Sequence, residues 1–197
     1  MGRINGHEYV DLGLSVRWAT CNVGANNPED YGDYYAWGET KTKKEYTEEN
    51  CETYKNIGDI KGTSRDVAHV RWGSPWRMPT EEESQELIDN CDWEWTTLNG
   101  VEGSKVTSRK NGNSIFLPAA GWRYGTSLST PERAVSIGVP RPTGAVPRTR
   151  TTSTSTVAIT SGTGTTATTG YPSVRSQNFK RSMFDLLDTF GLFVPAI

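Results

Sequence analysis

The sequence predicts a mixed α+β domain, with strand outweighing helix, over residues 1–128 and an irregular or disordered segment over residues 129–197. Three observations carry this. All seven tryptophans and all three cysteines lie before Arg123, so the large side chains that build a core stop two-thirds of the way along. Short stretches of alternating polar and apolar residues, bounded by turn formers, recur through that first part. A single strong helix start stands among them.

The elements follow in chain order. Glu8–Leu12 alternates as a half-buried opening strand, and Val16–Val23 reads as a second. Asn26–Asp33 is dense in turn residues and reads as a surface loop. It delivers the chain to Tyr34-Tyr35-Ala36-Trp37-Gly38, an aromatic run suited to a core wall. Lys41–Lys61 is charged, weakly patterned and expected to be a long loop.

The helix starts after Thr80. In Thr80-Glu81-Glu82-Glu83 the threonine can accept from the Glu83 N–H while the Glu83 carboxylate reaches back, a capping box. The three glutamates also suit the positive end of the helix dipole. Leu87, Ile88 and Cys91 form a short apolar stripe, and the helix is expected to end near Asn90. Trp93 and Trp95 alternate with Glu94 and Thr96 as a strand. Lys105–Arg109 and Ser114–Leu117 flank Lys110-Asn111-Gly112-Asn113, a β-hairpin with an Asn-Gly turn. Ala119-Ala120-Gly121-Trp122 is a tight small-residue segment beside a large ring.

Composition bounds the function. The net charge of −2 conceals an asymmetry: seven basic and no acidic residues lie between Arg133 and Arg181, and the first 132 residues carry 14 basic and 21 acidic ones, a net of −7. No run approaches the roughly 20 apolar residues of a membrane span. Met1–Gly6 carries no apolar export signal and leads almost directly into a strand. Cys21, Cys51 and Cys91 lack the paired spacing of a zinc site. A Cys21–Cys91 bridge is open to them in an oxidising compartment, and three small buried thiols is the plainer reading. His7 and His69 have no companion at a recognised ligand spacing. Glu29, Asp30, Asp33 and Glu39 form an acidic group that could hold calcium, but a solvated loop is the better reading of them. No catalytic residue, metal ligand or cofactor is assigned.

The phrases Asn5–Leu14, Trp18–Ala25, Tyr31–Glu39, Trp76–Thr80 and Ile115–Gly121 together resemble the Fibrobacter succinogenes major paralogous domain, found abundantly in gut Bacteroidetes. Arg77–Glu81 is also similar to a phrase of the formylglycine-generating sulfatase-modifying enzymes. The resemblance covers roughly residues 5–128 and implies a C-type-lectin-like fold, export or attachment to the cell surface, and a non-catalytic binding role toward a glycan, peptide or surface partner. An enzyme of the sulfatase-modifying type is disfavoured, because its reactive cysteines would lie near the domain's end and the last cysteine here is Cys91. The Glu-Pro-Asn, Gln-Pro-Asp and Trp-Asn-Asp signatures of calcium-dependent lectins are absent from the sequence.

The family's second half is rich in Tyr and Trp, with phrases like YWSSTPY, AYYLYFNS and YYGLSVRPV, and none stands here. They emerge, however, when each codon's last base is joined to the first two of the next. Ser136–Thr143 can then spell the first, Thr149–Val157 the second and Thr168–Ser176 the last eight letters of the third. The expectation is a shift of reading frame between about Ser129 and Val135, a lectin-like domain complete only in its first half, and read-through beyond Gln177. Other readings of this region are weaker. Gly162–Ala167 mimics a phosphate loop without its strand and helix, and Arg133–Arg150 lacks the interleaved aromatics of a nucleic-acid site. Thr149–Thr169 reads as a linker or low-complexity tract. Phe179–Leu187 has helix-like apolar spacing.

Overall fold

The computed structural model describes residues 1–53, 59–129 and 195–197. Its elements are mixed helix and strand, so the α+β expectation holds at that level. Three small antiparallel sheets are present among the described residues.

The first sheet contains β1 (Gly2–Ile4), β2 (His7–Val10) and β3 (Trp18–Ala19). Asn5 and Gly6, at φ 51° and 85°, form the two-residue turn that pairs Ile4 with His7. The expected strand over Val16–Val23 shrinks to two residues, because from Thr20 the backbone turns rather than extends. Asn22 is buried and donates its amide to the Tyr31 carbonyl at 3.1 Å, while Gly24 takes φ 84°. That geometry bends the segment into the Asn26–Asp33 loop.

Two helices follow. α1 (Val67–Trp72) was not expected from the sequence. It buries Val67, Ala68 and Trp72, and Asp66 caps it by accepting from the His69 N–H at 3.1 Å. The Asp66 carboxylate is fully buried and also accepts from the N–H groups of Gly62 (2.8 Å) and Met78 (2.9 Å). One side chain thus ties together a loop, a helix start and the approach to the next helix. α2 (Glu81–Asn90) begins at Thr80 with the capping box intact and packs Ser84 and Leu87 inward. Arg77 grips both oxygens of Glu83 at 2.7 Å each.

The second sheet is β4 (Cys91–Leu98), β5 (Val101–Ser108) and β6 (Ser114–Pro118), in that order. Asn99-Gly100 closes the β4–β5 hairpin with φ 48° and 85°, whereas Asn111-Gly112 lies in the longer β5–β6 loop. The register sets Trp93, Val106 and Ile115 in one row and Trp95, Ser104 and Leu117 in the next, on the same face. Those rows border the main core around Trp18, Trp76, Tyr35, Leu12, Met78 and Leu87. Ser108 ties the sheet to the segment that follows β2 by donating to the Leu12 carbonyl at 2.6 Å. A hairpin, β7 (Trp122–Tyr124) and β8 (Ser127–Ser129), stands beside a smaller cluster of Tyr34, Ala36, Tyr46 and Ala120.

Pro195–Ile197 belongs to the same body. Ala196 is fully buried in the main core and bridges to both Trp18 and Arg77. The frame-shifted phrases, the Arg133–Arg150 stretch, Gly162–Ala167, Thr149–Thr169 and Phe179–Leu187 all lie outside the described residues.

Candidate ligand-binding surface

The β7–β8 hairpin is short, yet its surroundings hold it firmly. Gly125 sits at its tip with φ 58°, and main-chain bonds join it to Tyr46 in both directions, at 2.7 and 2.8 Å. Tyr46 is itself 1% exposed and donates its hydroxyl to the Tyr34 carbonyl at 2.6 Å. Tyr34 in turn donates to the Ala120 carbonyl at 2.6 Å, just ahead of β7. The Arg123 guanidinium lies 5.0 Å from the centroid of the Tyr34 ring, in cation–π range. Burial pushes the Tyr34 phenol up to about 12, against the opposing charge of Arg123.

Alternation divides the hairpin into two faces. Arg123 and Leu128 are register partners on one; Trp122 and Tyr124, opposite Ser129 and Ser127, share the other. Tyr124 is 50% exposed and Leu128 42%, so each face of the hairpin presents one large side chain to solvent. A half-exposed phenol beside serine hydroxyls offers a flat apolar surface with hydrogen-bonding groups at its edge. Such a surface stacks on a sugar ring or an aromatic side chain. The sequence reading stopped its ordered part at residue 128 and did not single out this hairpin. Its signal was the Trp122-Arg123-Tyr124 alternation running into Gly125.

The residues weighed from sequence take other places. His7 stacks on Trp72 with ring centroids 3.9 Å apart and planes 11° from parallel, and Trp76 meets it edge-on. Burial pulls the His7 imidazole below its ordinary value. His69 lies in α1, three residues before Trp72, with its N–H on the Asp66 cap. The four acids of the 29–39 region are engaged one by one. Glu29 accepts from the Asn99 amide at 2.7 Å, and Asp33 from the Tyr35 hydroxyl at 3.0 Å. Asp30 accepts from the N–H groups of Asn27 (2.9 Å) and Asn26 (3.2 Å), and those bonds hold its carboxyl below the ordinary range. Glu39 is held by Lys43 at 2.7 Å and by the Glu52 N–H at 2.8 Å. Among the described residues no group of three or more metal-binding side chains converges.

Cys21, Cys51 and Cys91 are free thiols, so the Cys21–Cys91 bridge is not formed in this structure. An open groove along α2 is lined by Glu81, Glu82, Gln85, Glu86 and Asp89, with Glu86 already taken by the Ser15 N–H at 2.9 Å. Among the described residues no helix is long and apolar enough to cross a membrane. Comparison with family models, with curated proteins and with solved structures finds no match to this chain.

Proposed function

We propose that this chain is a non-catalytic binding module of C-type-lectin-like fold, exported or held at the cell surface, that recognises a glycan, peptide or surface partner. The observation that carries the reading is Tyr124: a half-exposed aromatic on a hairpin pinned at its tip by Tyr46 and at its base by Arg123 on Tyr34. A backbone held in this way leaves less of the chain to order on contact, which favours binding at a surface. The family resemblance supports the fold. The phrases that carry it include the fully buried Trp18, Tyr35, Ala36, Trp76 and Ala120, so several of their large and small residues serve the core. Glycan-array and peptide-array screening of the chain, with Tyr124→Ala as the control, tests the reading. Binding that Tyr124→Ala abolishes while leaving the melting temperature unchanged supports it; silence on both arrays counts against it.

A second reading rests on a separate feature of the sequence, that a neighbouring frame can spell three family phrases in order. Under it the chain is a truncated paralogue without function of its own. The encoding DNA decides: codons that cannot yield YWSSTPY, AYYLYFNS and YYGLSVRPV in the shifted frame remove this reading.

A further inference from the structure

Arg3, Arg17, Arg77 and Arg109 each meet a carboxylate. Among the described residues Arg123 meets none, in a part of the chain where acids outnumber bases. Its half-buried side chain is held with the guanidinium 5.0 Å from the Tyr34 ring centroid. The titratable groups that act on the Tyr34 phenol are Arg123 and Tyr31, with no carboxylate among them. A guanidinium fixed over a ring keeps its planar fork of N–H donors, and that fork matches the two oxygens of a carboxylate. Two exposed large side chains border the pair. Leu128, the register partner of Arg123 across the hairpin, is 42% exposed, and Tyr31, close to the Tyr34 phenol, is 38% exposed.

The main-chain groups around this pair are already engaged. The Gly125 N–H and carbonyl are bonded to Tyr46, and the Tyr34 carbonyl accepts from the Tyr46 hydroxyl. The Ala120 carbonyl accepts from Tyr34 and the Tyr31 carbonyl from Asn22. A peptide laid across these groups would find none of them free for its own backbone, whereas a sugar needs none. We infer that Arg123, with Leu128 and Tyr31 beside it, forms a site for a uronic acid residue of an acidic glycan. The sugar carboxylate takes the guanidinium fork, and the C–H face of the ring takes the exposed side chains. In a uronic acid the carboxyl is bonded directly to a ring carbon, so charge and apolar face arrive together. The inference rests on the binding-module reading and names a ligand class for the hairpin face opposite Tyr124.

Calorimetric titration of the full chain with trigalacturonate, its methyl ester and a capped triglutamate peptide tests this. Trigalacturonate should bind at least about tenfold more tightly than the ester, which keeps the rings and loses the charge. Binding should be lost in Arg123→Gln and weakened in Arg123→Lys, which keeps the charge without the planar fork. Equal affinity for acid and ester overturns the inference and leaves the binding-module reading standing; triglutamate bound as tightly as trigalacturonate overturns the assignment to a sugar. Silence of all three probes overturns the inference alone if the glycan or peptide arrays give hits, and removes both readings if they do not. Should Arg123→Gln fail to fold, the Arg123 side-chain N–H resonance of the unmodified chain decides. It should shift on adding trigalacturonate and not on adding the ester; a resonance that stays in place with trigalacturonate overturns the inference.

Discussion

Arg77 and Glu83 form a two-toothed ion pair, each guanidinium nitrogen 2.7 Å from a different carboxylate oxygen, across the start of α2. The same carboxylate accepts from the Thr80 N–H at 2.8 Å, so one side chain serves both the cap and the pair. Both partners are mostly buried, at 14% and 13% side-chain exposure, which lifts the pair above an ordinary surface bridge. Glu83→Gln should destabilise the domain by about 1–3 kcal/mol in urea unfolding at neutral pH.

That contribution carries a pH signature. Burial acts to raise the Glu83 carboxyl, but the bonds from Arg77 and Thr80 and the charges of Arg77 and Lys61 outweigh it, leaving the group below its ordinary value of 4.5. A depressed folded-state value means stability that is fully present above the unfolded value and lost as pH falls through the folded one. The gap between wild type and Glu83→Gln should therefore be constant from pH 7 to about 5 and narrow below about 4. A gap unchanged at pH 3 would contradict the assignment.

Asp66 is the second polar node. Asp66→Ala would leave the N–H groups of Gly62, His69 and Met78 without their acceptor inside a region where Met78 is 1% exposed. The loss should be about 3 kcal/mol or more. It should also raise amide exchange at these three positions, which a general loss of packing would not single out.

Two glycines separate crowding from backbone strain. A methyl on Gly103 would stand 2.4 Å from the Leu117 carbonyl and 2.6 Å from the Phe116 ring. Gly103→Ala should therefore cost about 1–3 kcal/mol through overpacking of the β5–β6 pair. At Gly100 nothing lies within 4 Å, but φ is 85°; Gly100→Ala should cost about 1 kcal/mol from strain alone. Thermal melts of the two variants, with the larger loss at Gly100, would reverse this account.

The thiols should react in a set order. Cys91 is 0% exposed, and burial pushes its thiol up; burial likewise raises half-buried Cys21. The thiolate is the reactive species, so alkylation at pH 8 followed by peptide mass mapping should leave Cys91 unmodified until the protein unfolds. Rapid native labelling of Cys91 would show that the β4 edge opens readily.

What the sequence made readable was the local chemistry. Thr80 and Glu83 announced the cap of α2, because both partners of a capping box lie within one turn. Trp93 and Trp95 announced β4, because their period matches the pleat. The α1 helix escaped because six residues give too short a stretch for periodicity, and its one local signal, Asp66, is also a common turn residue. The Asn5-Gly6 and Asn99-Gly100 pairs had the turn signature, yet each has one flanking strand without a clear pattern: β1 is only three residues long, and the Val101–Ser104 part of β5 is short of apolar side chains. Val16–Val23 looked like a strand until the burial of Asn22 against Tyr31, a contact nine residues away, bent it. The Tyr124 surface depends on Tyr34 and Tyr46 reaching it from far upstream, and nothing in the local pattern of residues 122–129 encodes those partners. Position 196 is the extreme case: its place beside Trp18 joins residues 178 apart.

The contacts of Pro195–Ile197 also make one part of the core depend on residues far away in sequence. Five main-chain bonds tie these three residues to Arg17, Ala19 and Arg77, and Ala196 is fully buried beside the fully buried Trp18. A change that removed the segment would free those main-chain groups next to a large ring at the same time. Its loss would be felt first as a tendency to associate, with the helices and sheets of the domain still in place.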